Sequence, residues 1–234
     1  MSQMLKSSGA MGVATLTSRV LGMVREMFYS HFMGDTAVAS AFKLAFQIPN
    51  LFRRLLGEGA LTVAFIPIFK LKEKTAGEAE MWRAANAVIS GLIIVSAIII
   101  GLVMLGITIA LSVHRFDPNT QLMLRLLRLM FPYMLMVCLA AIFMGMLNAR
   151  GRFFVPALGA AVLNVVLISS VIFLTPFWGE TLDTQIFALA VGVLMAGTAQ
   201  ALFQLPNLRR EGKGFVTAGF RPGKTKPFAK SFAR

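Results

Sequence analysis

From Ala84 onward the chain falls into four long apolar stretches, separated by short polar breaks. They run from Ala84 to Val113, Gln121 to Asn148, Phe153 to Phe177 and Thr184 to Leu205. Each is long enough, as a helix, to cross a hydrocarbon core of about 30 Å. Two earlier stretches keep the helical period but carry too many polar residues for hydropathy alone to mark them. In the first, Ser8 to Phe32, the residues Thr15, Ser18, Arg19, Gly22, Arg25 and Glu26 fall within an arc of about 120°. Leu16, Val20, Leu21, Val24 and Phe28 lie outside that arc. In the second, Thr36 to Lys74, the residues Thr36, Ser40, Lys43, Gln47, Asn50, Arg54 and Glu58 recur every three or four positions and share one face. A straight helix of that length overruns the core. A bend is therefore expected at Pro49 or at Gly57-Glu58-Gly59, with the remainder projecting toward Lys70, Lys72 and Lys74. The pattern predicts an all-α integral membrane protein, a bundle of six transmembrane helices.

Composition supports this. The 234 residues are 57% hydrophobic and only 14% charged, whereas a soluble domain carries roughly 25% charged residues. The net charge is nonetheless +13, and its placement gives an orientation. Lys70, Lys72, Lys74 and Arg83 follow the second helix, Arg150 and Arg152 the fourth, and Arg209, Arg210 and Lys213 the sixth. The alternate loops, Gly34-Asp35, His114 to Asn119 and Trp178 to Asp183, hold Arg115 as their one firm cation. By the positive-inside rule both termini are cytoplasmic, and Trp82 and Trp178 fall where interfacial anchors belong. No cleavable signal peptide is expected, because the first helix contains Arg19 and Arg25 and lacks a short apolar core with a cleavage site. Residues 1–214 form the membrane lobe. Residues 215–234 are a basic tail, expected to be disordered near anionic headgroups.

The charges inside the spans carry the chemistry. A Lys or Arg near a helix centre costs about 2.5–3.5 kcal/mol to insert, so these faces must meet other helices or a water-filled cavity. Two uses compete. Arg19 with Glu26 and Arg54 with Glu58 could be internal ion pairs that brace the bundle. Alternatively, the guanidinium fork suits a phosphate-bearing anion. Other chemistry is scarce. His31 and His114 have no carboxylate or thiol company, so no metal site, no cofactor and no histidine-based hydrolysis is expected. Cys138 forms no intrachain disulfide, being the one cysteine. Asn148 and Asn164 read as interhelical hydrogen bonders, and Ala141 and Gly145 as points of close helix approach.

Particular residues then become recognisable. Ser18-Arg-Val-Leu-Gly22, Val24-Arg-Glu26, Ala45-Phe-Gln-Ile-Pro-Asn-Leu-Phe-Arg-Arg54 and Gly57-Glu-Gly-Ala60 closely resemble the lipid II flippases of the MurJ/MviN family. Phe131-Pro-Tyr133, Leu147-Asn148, Arg152-Phe153, Pro156-Ala157, Leu163-Asn164 and Gln204-Leu-Pro206 extend the resemblance over about Gly9 to Phe220. It implies a member of the multidrug/oligosaccharidyl-lipid/polysaccharide exporter superfamily, with two helical lobes working by alternating access around a central cavity. The implied substrate is an undecaprenyl-pyrophosphate-linked peptidoglycan precursor, moved from the inner to the outer leaflet of the bacterial inner membrane. The resemblance also makes Arg19, Arg25, Arg53 and Arg54 the substrate-binding residues, and Gly57, Glu58 and Gly59 the hinge. Two departures stand out. Ala39-Ser-Ala-Phe42 places Ser40 where the family carries an Asp of functional weight. The family is also about twice as long, so this chain corresponds to an N-terminal lobe whose partner would be a second lobe. The rival readings are a drug/cation antiporter of the same superfamily, which a cation-rich cavity opposes, and a non-transporting fragment or scaffold. A membrane enzyme would need paired acids or histidines. No enzymatic activity and no nucleic-acid partner are expected.

Overall fold

The computed structural model describes residues 2–52, 54–55 and 61–211, and within them every regular element is helical. In chain order the helices are α1 (Ser2–Met33), α2 (Ala37–Phe52), α3 (Leu61–Ala76), α4 (Glu78–Val113), α5 (Pro118–Met130), α6 (Tyr133–Ala149), α7 (Phe154–Ser169) and α8 (Leu182–Glu211). The four apolar stretches are all present. The helices α4, α7 with its continuation to Phe177, and α8 are each long and apolar enough to cross a membrane, and α5 with α6 makes a fourth span bent by 43°. Among the described residues the count by length and composition is therefore three, or four with the bent pair, against the six expected. α1 falls short because of its polar face, whereas α2 and α3, at 16 residues each, are too short to be counted separately.

The bend in the fourth span was not anticipated, and proline explains it. Pro132 has no N–H to donate and its ring crowds the carbonyl one turn back. The Phe131 N–H still bonds Leu127 O at 2.8 Å, after which Met134 and Leu135 bond back only three residues, to Phe131 and Pro132. Of the segment from Thr36 to Lys74, the described residues form two helices, and no break falls at Pro49. α2 runs through Pro49 to Phe52 and α3 begins at Leu61; the Gly57-Glu58-Gly59 bend lies outside the described residues, as does the 215–234 tail. Thr36, assigned to the polar stripe, also caps α2 by accepting the Ala39 N–H at 3.1 Å. Asp117 does the same for α5, accepting the Thr120 N–H at 3.0 Å ahead of Pro118.

α1 lies along α7, α2 along α5, and α6 and α7 both pack on α8, while α3 covers the cytoplasm-assigned ends of α4 and α6. One aromatic contact joins α1 to α2: Tyr29 meets Phe42 edge-on at 5.9 Å. The core is centred on α6 and α8, where Met134, Ile142, Met146, Leu189 and Ala196 are fully buried. Trp82 is buried too, edge-on to Phe69 at 5.7 Å. It is a packing residue under α3 rather than an exposed interfacial anchor. Trp178, at 45% exposure, keeps that position. On α4, Ile98, Leu102, Leu105 and Ile109 form an exposed apolar stripe, as do Leu16, Val20, Met23 and Met27 on α1. Apolar surfaces of this kind are compatible with contact to lipid chains.

Close approach of α6 and α8 depends on glycine. A Cβ at Gly197 would stand 2.6 Å from the Tyr133 ring. Gly197→Val is expected to cost about 1–3 kcal/mol by overpacking. Gly101→Ala, inside α4 where a Cβ meets nothing within 4 Å, should not destabilise and can add about 0.5–1 kcal/mol through helix propensity. Thermal unfolding in detergent reads both, and a Gly197→Val protein that melts with the wild type would contradict this packing.

Candidate functional site: a polar cleft between α1 and α2

Because α1 leans on α7 and α2 on α5, the two polar-faced helices stand on either side of a cleft floored by α6, α7 and α8. The cleft has a volume of about 280 Å³, and Arg25, Asn50, Asn164 and Gln200 supply its polar lining, with Phe46, Tyr133 and Leu163 among its apolar walls. Arg25 is central and half-buried. Its Nη1 donates to Asn164 Oδ1 at 3.2 Å, its other terminal nitrogen pairs with Glu26, and the guanidinium lies 5.8 Å from the centre of the Tyr29 ring. Its Nε is buried with no hydrogen-bond partner. Asn164 completes the link by donating its Nδ2 to Ser18 O at 3.2 Å. It thus fastens α7 to α1 at both the backbone and the guanidinium, the interhelical role expected of it.

The other expected site residues are spread more widely. Arg19 is exposed on α1, and the Arg19–Glu26 pair that the bracing alternative called for is not formed, since Glu26 is held by Arg25 instead. Ser40 and Lys43 are exposed on α2, and Arg54 is exposed in the π turn after it. Arg53, Gly57, Glu58 and Gly59 lie outside the described residues, so the Arg54–Glu58 pair cannot be placed. Of the polar stripe on α2, Asn50 is the residue that reaches the cleft.

Sequence reasoning passed over three groups. The first is Gln200 with Gln204 on α8. Gln204 Nε2 donates to Ala140 O at 3.2 Å, while both glutamine Oε1 atoms are buried without a partner. The signal was available, because two amides one turn apart in an apolar span face the same way. The second is a set of acids that answers the loop cations. Arg150 bonds Glu73, Glu78 at 3.1 Å and Glu211 at 3.7 Å, and Arg152 Nε reaches Glu211 at 2.7 Å. These residues come from α3, α4, the α6–α7 turn and α8, so the loops grouped by charge do lie at one end of the bundle. Gly151, at φ +77°, makes that turn possible. The Gly151 N–H returns to Asn148 O and the Arg152 N–H to Leu147 O, the paired bonds that close a helix over a left-handed residue. The third group is Arg125 with Arg128 on α5, two cations inside an otherwise apolar span.

The fold and the cleft together define a class: a multi-pass helical membrane lobe with a cleft between two polar-faced helices. Comparison with known proteins makes the assignment particular. The family model described as "Lipid II flippase MurJ" matches residues 29–234, and the chain belongs to that family. Similar curated proteins include a probable lipid II flippase MurJ from Treponema pallidum (strain Nichols), 40% identical over 208 residues that make up 87% of this chain and 39% of that protein. Another, from Bdellovibrio bacteriovorus, is 39% identical over 210 residues, covering 86% and 39% of the two chains. The lipid II flippase MurJ of Burkholderia cenocepacia is 33% identical over 201 residues, covering 84% and 38%. A solved lipid II flippase MurJ in an inward closed conformation shares the fold, with a TM-score of 0.70 at 23% identity over 91% of this chain and 43% of that one. The chain thus spans about two-fifths of the length of the curated relatives it matches. The matched segment begins at Tyr29, so Arg19 and Arg25 precede it.

A double-mutant cycle tests the link at the centre of the cleft. Arg25→Gln and Asn164→Ala should each destabilise the lobe, with a coupling of about 1 kcal/mol or more for a hydrogen bond to a charged group. Additivity within about 0.5 kcal/mol would mean the two side chains act independently.

Proposed function

We propose that this chain forms one lobe of a flippase for an undecaprenyl-pyrophosphate-linked peptidoglycan precursor in the bacterial inner membrane. The observation that carries the proposal is Arg25: a half-buried guanidinium with an unpartnered Nε, opening onto a polar cleft between two polar-faced helices. A pyrophosphate offers many acceptor oxygens, and the planar fork of arginine takes them two at a time. Arg25 would hold the pyrophosphate first, with Arg19, Arg53 and Arg54 on the faces of α1 and α2 beside the opening. The names of the relatives support the substrate class, and the shared fold supports the architecture.

Transport itself calls for a second rigid body, since alternating access rocks two lobes about a shared site. In this reading the second lobe forms the facing wall of the cleft, and Gly57, Glu58 and Gly59 between α2 and α3 provide the hinge. Ser40, exposed on α2, leaves that face without the carboxylate that the family pattern places at this position. Both termini face the cytoplasm, with the Arg150 cluster on that side and the α4–α5 connection on the other.

A bracing role for Arg25 is the reading to separate from this one, because its bond to Asn164 does join α1 to α7. Purified protein titrated with a polyprenyl pyrophosphate in detergent decides between them. Arg54→Lys and Arg25→Lys retain the charge but lose the fork, and each should weaken binding about tenfold, or 1.4 kcal/mol. Arg54→Lys should also leave the thermal melt unchanged. Equal affinity per folded molecule would leave the arginines as braces.

The orientation is read by labelling single cysteines in intact cells with an impermeant thiol reagent. A Cys at Asn119 should react from outside and one at Lys72 should not. The opposite pattern would invert the topology.

A further inference from the structure

α5 carries two arginines that the cleft does not use. Arg125 and Arg128 lie about 10 and about 15 Å along the helix from Pro118, at about 1.5 Å per residue. Arg128 meets Thr108, near the end of α4, so both arginines belong to the leaflet beside the α4–α5 connection. Both line a cavity of about 710 Å³ between α4, α5 and α8, with Gln121 as its other polar group and Leu111, Phe187 and Leu194 in its walls. Arg128 is half-buried and donates to Thr108 Oγ1 at 3.4 Å; Arg125 is exposed into the opening. Among the described residues neither arginine has a carboxylate within ion-pair distance. The hydroxyl of Thr108 is a neutral acceptor, already donating to Met104 O. Two full positive charges therefore stand in a half-apolar groove without an anion.

We propose that this groove is a binding site for the phosphate of an anionic phospholipid, distinct from the α1–α2 cleft and independent of the flippase reading. Charge sets the headgroup. Two guanidinia three residues apart on one helix face present paired forks to a phosphodiester. A zwitterionic lipid would add an ammonium to a site that already has two cations, whereas an anionic one lowers the charge. The surroundings set the source. The groove opens beside Leu105, Ile109 and Val113, which are 57%, 53% and 82% exposed on the apolar face of α4. An occupant arriving there comes from the bilayer, with its acyl chains along α4 and its phosphate against α5.

The test uses the full chain in dodecyl maltoside micelles mixed with phosphatidylglycerol or phosphatidylcholine. The readouts are the melting temperature and the number of lipids retained in native mass spectrometry. Phosphatidylglycerol should raise the melting temperature above that in phosphatidylcholine and leave one retained lipid. The variant R125Q/R128Q should lose both effects while melting as the wild type does in phosphatidylcholine. If the double variant does not fold, R125Q alone, at an exposed position, should still reduce retention at least several-fold. Undiminished retention and stabilisation in whichever variant folds would overturn the proposal. So would equal stabilisation by inorganic phosphate, which would make this a site for a free anion. A change in oligomeric mass in the variants, with lipid retention intact, would assign the groove to contact between copies and equally overturn it.

Discussion

A guanidinium does not shed its charge in a membrane, so each one must be answered where it stands. At about 2.5–3.5 kcal/mol per cation near a span centre, the placement of arginine decides which faces of this lobe can meet lipid. The structure answers them in different ways. At one end, Arg150 and Arg152 are met by three glutamates drawn from three helices, at the water interface where ion pairs are inexpensive. In the middle, Arg25 is met by one carboxylate, one amide and one aromatic face, and the space left over is a cleft. On α5, a threonine hydroxyl is all that Arg128 receives. The apolar stripe of α4 holds no cation and can face lipid, whereas that of α1 runs beside the exposed Arg19.

Helix association in such a setting has little hydrophobic drive, since lipid tails are as apolar as leucine. Small residues and amides take over. Gly197 admits the Tyr133 ring, and Gly192 admits Ser170, at distances no Cβ would tolerate. Gln204 reaches across to the Ala140 carbonyl and Asn164 to the Ser18 carbonyl. The π turn at Ser170–Leu174 falls where Ser170 meets Gly192, so the irregularity of α7 coincides with its closest approach to α8.

Much of this was legible in the sequence, for identifiable reasons. The four apolar spans were readable because a bilayer demands a length, and length survives any detail of packing. The polar faces of α1 and α2 were readable because helical period does too. Arg25 and Asn164 were singled out, though as members of separate groups; nothing in one chain says that a residue of α1 meets one of α7. Partner choice was therefore the usual failure. The bracing alternative paired Glu26 with Arg19 at nearly two turns' distance, whereas its neighbour Arg25 holds it. Trp82 was read by type as an anchor, although α3 folds over it. Arg125 and Arg128 were missed because they sit in a stretch whose hydropathy had already settled its assignment.

The pairing of Arg25 with Glu26 bears on how an arginine can brace a bundle and bind an anion at once. Asn164 engages one terminal nitrogen from within the lobe, and that bond fixes where the guanidinium points. Glu26 engages the other from the exposed side, with its own side chain 64% accessible. A carboxylate so placed neutralises the arginine while leaving a route outward, because an exposed ion pair is worth little and is easily exchanged. A phosphate approaching through the cleft would compete with Glu26 and leave Asn164 in place, and the idle Nε adds a donor. With Ser40 neutral on the opposite helix, Glu26, outside the cleft lining, is the carboxylate paired with Arg25 when no ligand is bound. Bracing and binding then draw on different nitrogens of the same side chain, so evidence for one role is not evidence against the other.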